Sequence, residues 1–167
     1  MAVMRLRIAA IVLFMLSGAP AGAQEPGWHY SPLPGEGDRA TLGCDREASP
    51  ERFTCLAVRC EDDFSTGLYV HSSLPDDTGV WEMTIDRENH AFLAEPAGAA
   101  YGGRIIEDAG WLLERIRQGS FVYLRHKDDA GPFGFISLSG SLYAINSALA
   151  WCAPPAPASE PIRGPGV

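Results

Sequence analysis

Four cysteines, Cys44, Cys55, Cys60 and Cys152, carry the most readily named chemistry in this chain. An even set of thiols in an exported protein oxidises by default to two disulfides, and three pairings are open. Redox exchange would need a C-x-x-C pair and zinc would need closely spaced histidines; the chain has neither. His29, His71, His90 and His126 are scattered, and only His71 and His126, each late in a strand-like run, could meet across a sheet. Ordinary surface histidines are the plainer expectation.

No Gly-x-Ser-x-Gly elbow, Ser-x-x-Lys, His-Glu-x-x-His or phosphate loop is present, so no catalytic residue, metal or cofactor is expected. Ser137, Ser139 and Ser141 surround Gly140 where a strand gives way to a helix, and a hydroxyl there caps the first free amides. The acidic pairs Asp62-Asp63, Asp76-Asp77 and Asp128-Asp129 fall in connections. Calcium favours clustered loop carboxylates, but the spaced Asp-x-Asp-x-Asp pattern is missing and aspartate in a turn needs no metal.

The aromatic residues are the better functional candidate. In FVYLRH, continued by FGFISL, alternation sends Val122, Leu124, Ile136 and Leu138 inward and Phe121, Tyr123, Arg125, Phe133 and Phe135 outward. An aromatic row beside an arginine has the composition of a binding surface. Because bare aromatic area is rare on a soluble domain, cover by the segment holding Trp28 and Tyr30, or by a helix, is the expected competing arrangement.

These residues belong to a stretch, Phe121–Cys152, that reads as strand, Asp/Gly turn, strand, then a helix ending in a cysteine. Helical spacing puts Leu142, Ile145, Leu149 and Cys152 on one inward stripe. Upstream, Trp28–Leu33 and Arg39–Cys44 could be strands, and Phe53–Cys60 is the clearest one. Gly67–Ser73 and Val80–Asp86 read as a hairpin, with Trp81, Met83 and Ile85 inward. After a looser Pro/Gly/Ala stretch, Asp108 can cap a helix Ala109–Gln118 that turns Leu112, Leu113 and Ile116 inward and stops at Gly119.

Facing decides the cysteine pairing. In a strand Leu56, Val58 and Cys60 share one side while Cys55 takes the other, so a Cys55–Cys60 bridge is geometrically poor. Cys60, on the aliphatic side, is the natural partner for Cys152, leaving Cys44 for Cys55.

The first 23 residues place Arg5 and Arg7 before an apolar run and end in Ala21-Gly22-Ala23, which reads as a secretory signal too short to span a membrane. A single disulfide-bonded domain is expected over 24–154, and the Pro-rich remainder, 155–167, reads as a disordered tail. The formal charge of −8 becomes −10 once the two signal arginines are removed, which argues against nucleic acid or an anionic membrane as partner.

The order CLAVRC60, GLYV, MTID86, a Leu-rich helix before Gly119, aromatic strand, FISLSG140 and a helix ending at Cys152 resembles two groups of bacterial periplasmic proteins. They are the type VI secretion-associated VasI-like proteins and the invasion-associated locus B family. The resemblance covers Phe53–Cys152 and implies a small β-sandwich-like domain without known catalytic residues, in accessory or binding roles. The expectation is therefore a mainly β, α+β fold: an antiparallel β-sandwich-like domain with two helices, the C-terminal one disulfide-tethered to the sheet. The expected function is non-enzymatic, through contact with another periplasmic or cell-envelope protein. A small periplasmic hydrolase-like enzyme with a site invisible to sequence spacing is the alternative.

Overall fold

The computed structural model describes residues 25–30, 40–97 and 102–153. The signal segment, the tail from 154 and Ser31–Leu33 of the first expected strand lie outside them. The elements are β1 (Gly27–Tyr30), β2 (Ala40–Cys44), β3 (Thr54–Cys60), β4 (Thr66–Ser72), β5 (Gly79–Ile85), β6 (Glu88–Pro96), β7 (Gly103–Ile105), α1 (Ala109–Gln118), β8 (Phe121–His126), β9 (Gly134–Ser137) and α2 (Ser141–Leu149). A short 3-10 turn, Ala150–Cys152, ends the described part.

All nine strands form one antiparallel sheet in the order β1-β2-β3-β4-β7-β6-β5-β8-β9. The sheet curls until its ends approach. The Arg46 amide donates to the Phe135 carbonyl at 2.9 Å, and the Trp28 indole N–H reaches the Ser137 carbonyl at 2.9 Å. Trp28 lies over Gly43 of β2, where an added Cβ would come within 2.3 Å of the indole, so glycine makes room for that ring. Inside the curl, Leu56 and Val58, Trp81, Met83 and Ile85, and Val122, Leu124 and Ile136 form one core closed by Leu112 and Ile116 of α1 and Ile145 of α2. A second buried group, including Cys44, Cys55, Ala57 and Tyr69, lies on the opposite face of β2–β4.

The expected hairpin between 67–73 and 80–86 does not form. β4 pairs with β3 and β7, and β5 with β6 and β8. The local signal belongs instead to a β5–β6 hairpin, whose two-residue turn Asp86-Arg87 takes positive φ at both positions (45° and 80°), the backbone that suits the strand twist. The Asp86 carboxylate then accepts the Ser120 and Phe121 amides, fixing the start of β8 to this turn.

Two helix details also differ from expectation. Asp108 makes no side-chain cap on α1; its carboxylate lies 3.3 Å from His90. The inward face of α2 is Ser141, Ala144, Ile145 and Ala148, while Leu142 is 50% exposed and Cys152 lies beyond the helix, half-buried. Small residues let α2 approach the sheet closely. Its phase is set by Ser141, whose buried hydroxyl donates to the Ile116 carbonyl of α1 rather than capping its own helix.

Both disulfides follow the facing argument: Cys44 pairs with Cys55 and Cys60 with Cys152. Cys44 and Cys55 are already directly opposite in the β2–β3 register, so the bond holds a neighbourhood that the ladder also makes. Cys60–Cys152 spans a sequence separation of 92 and ties the end of α2 to the sheet. No helix among the described residues is long and apolar enough to cross a membrane. Two disulfides belong to an oxidising, extracytoplasmic setting.

On the chain-entropy scale a separation of 92 is worth about 4.6 kcal/mol and one of 11 about 2.8 kcal/mol. The double variant Cys60→Ala/Cys152→Ala is therefore expected to melt lower than Cys44→Ala/Cys55→Ala; equal or reversed midpoints would contradict this. A second test concerns Tyr69, whose phenol burial, then its hydrogen bond to Glu61, push up from 10.0 to about 12. Between those pH values the unfolded chain releases the proton and the folded chain keeps it, so stability falls as pH rises through that window. Urea midpoints should decline less steeply over the same range in Tyr69→Phe.

Candidate functional site

Antiparallel pairing of β8 with β9 sets Tyr123 opposite Phe135, on the face turned away from the core. Their rings meet edge to face with centroids 5.2 Å apart, and Phe121 lies 5.6 Å from Tyr123 and 6.0 Å from Phe135. Arg125 stands over Phe133 at 4.1 Å and donates to Glu82 of β5 at 2.7 Å. All five expected residues are thus on one surface. Tyr123 is 40% and Phe133 38% exposed, and Phe121, Arg125 and Phe135 are half-buried.

Among the described residues, Trp28, Tyr30 and the two helices do not cover the row. Trp28 turns to the core side and Tyr30 accepts the indole N–H of Trp151, so the two aromatic residues of the N-terminal strand are engaged elsewhere. Tyr123 and Phe133 face outward from the row.

Beside it lies a cleft of about 640 Å³. Tyr123, Phe133 and Phe135 with Asp129 form one wall, and Asp45, Arg46, Arg52 and Phe53 the other. The second wall is the loop bracketed by Cys44 and Cys55. Asp45 shapes that loop: buried, its carboxylate accepts the Glu47 amide at 2.9 Å and the Thr54 amide at 2.7 Å. Gly134 of β9 packs so closely on Thr54 that an added Cβ would be 3.0 Å from it, which brings the two walls together. Arg46 leaves the loop to sit over the Phe135 ring at 5.1 Å. A shallower depression of about 480 Å³, lined by Glu82, Thr84, Asn89 and His90, continues from Phe133 across β5 and β6.

Sequence reading missed the loop wall because it comes from a segment about 75 residues upstream of the row, joined to it only by the closure of the sheet. The available signal was the Cys44–Cys55 spacing around a charged run.

The remaining candidates have structural partners. His71 faces Asp77 at 3.8 Å and the Phe53 ring, whereas His126 bonds the Thr78 carbonyl and meets Trp81; they lie on strands separated by β7, β6 and β5. Among the described residues no group of three His, Cys, Asp or Glu is placed to hold a metal. The acidic pairs close turns. The Ser65 hydroxyl, and then its amide, hold the Asp63 carboxyl below its ordinary value, and the Thr78 amide does the same for Asp76. Asp129 accepts the Gly131 amide, and Asp77 takes the Ser72 hydroxyl. Ser137 accepts the Ser139 amide at 3.3 Å.

Chemically, the cleft offers ring faces, guanidinium groups and carboxylates in a concave surface. Replacing Asp45 by Ala should leave two amides without their charged acceptor, cost about 1.5–3 kcal/mol, and speed exchange of the Glu47 and Thr54 amides. Unchanged exchange there would show that the loop holds itself. Comparison of the chain with models of protein families, curated proteins and solved structures finds no match.

Proposed function

We propose that this chain is an exported, periplasmic, non-enzymatic binding or accessory protein that acts by protein–protein contact through the aromatic face of β8 and β9. One observation carries the reading: Phe121, Tyr123 and Phe135 form a mutually packed, solvent-facing cluster at the mouth of an open cleft. Large, rigid aromatic side chains with few rotatable bonds lose little entropy on association, and with arginine they dominate interface energies.

Support also comes from what underlies the cluster. Val122, Leu124 and Ile136, on the reverse of the same strands, are fully buried, so the face is presented on a stiff base. The signal-like segment 1–23, the two disulfides and the resemblance to periplasmic accessory families support a contact made in the cell envelope.

The test replaces Tyr123 by Ala and follows partner capture from periplasmic extract together with thermal melting. Capture should weaken by about 1–3 kcal/mol, whereas folding should lose no more than about 1.5 kcal/mol, the worth of its exposed ring contacts. Full capture by Tyr123→Ala would remove this surface from the function. A fall in stability of about 3 kcal/mol or more would mean that the ring supports the core instead.

A further inference from the structure

Resting on that reading of the aromatic face, we propose that the partner delivers a short extended segment bearing lysine or arginine into the adjoining cleft, with one basic side chain over the Tyr123 ring. The volume, about 640 Å³, fits a few residues of extended chain rather than a folded surface.

Charge complementarity selects the occupant. Asp45, Glu47, Glu51 and Asp129 line the cleft against Arg46 and Arg52, so the concavity is net negative on a chain that itself carries −8. Hydrogen bonds from the Glu47 and Thr54 amides to Asp45, and from the Gly131 amide to Asp129, fix two of these carboxylates without cancelling their charge. Glu47 is exposed, and among the described residues no cation pairs with it. The rings carry a second, independent preference. Two of them already hold a guanidinium, Arg46 over Phe135 at 5.1 Å and Arg125 over Phe133 at 4.1 Å. Tyr123, the most exposed ring of the row, has no cation over it among the described residues, which makes it the place for one supplied from outside. Strand addition is not the mode here, because the β9 carbonyls of Phe135 and Ser137 already accept the Arg46 amide and the Trp28 indole. Side chains, not a shared ladder, must read the ligand.

The probe is a fluorescein-labelled hexapeptide of alternating Lys and Leu, measured by anisotropy on the full oxidised chain, with an Asp-for-Lys counterpart and with melting followed in parallel. At low ionic strength the Lys peptide should bind and the Asp peptide should not. An acidic chain attracts cations over its whole surface, so two charge-matched variants separate the cleft from the rest. Glu47→Gln/Glu51→Gln should weaken the Lys peptide roughly tenfold, whereas Glu95→Gln/Glu107→Gln, which removes the same charge from exposed positions outside the lining, should change it by no more than about twofold. Arg46→Ala/Arg52→Ala should tighten binding, and Tyr123→Leu, which keeps an apolar side chain without a ring face, should weaken it by about two- to fivefold. Equal binding of the two peptides, equal weakening by the two glutamine pairs, weaker binding by the double alanine variant or unchanged binding by Tyr123→Leu would overturn the inference, the second in favour of nonspecific attraction to an acidic surface. Loss of partner capture in Tyr123→Ala with no Lys-peptide binding would overturn this inference alone; undiminished capture would overturn the underlying reading as well.

Discussion

The meeting of the two ends of the sheet is the constraint on which the rest of this molecule depends. An open nine-stranded sheet would leave β1 and β9 as edges with unpaired backbone groups. Here the Trp28 indole and the Arg46 amide take carbonyls of β9, and the same approach brings the Cys44–Cys55 loop against the β8–β9 hairpin. Edge protection and cleft formation are one event. The tolerance is small, because Gly43 under Trp28 and Gly134 against Thr54 leave almost no room for a side chain.

How much of this was legible follows from the range of each signal. Strand alternation is local, so the facing of Leu56, Val58 and Cys60 against Cys55 was readable, and the disulfide pairing followed from it. The burial of Val122, Leu124 and Ile136 was readable for the same reason. Pairing between strands is not local. The β4 and β5 runs looked like a hairpin, yet β6 and β7 stand between them in the sheet; β6 in particular, with Ala91, Ala94 and Glu95, has weak strand propensity and an inward set of mostly modest size. In α2 the large apolar residues misled. Leu142 drew the inward stripe toward itself, but packing against α1 and the sheet is decided by the small face of Ala144 and Ala148 and by the Ser141 bond.

The site divides in the same way. Its aromatic half lies on two adjoining strands, and periodicity found it; whether anything covered it was a tertiary question that alternation could not reach. The loop half was found only in three dimensions. Ser141 bonds Ile116 and Ser137 bonds Ser139, so these hydroxyls hold the strand-to-helix junction, and the described histidines sit outside the lining of the larger cleft.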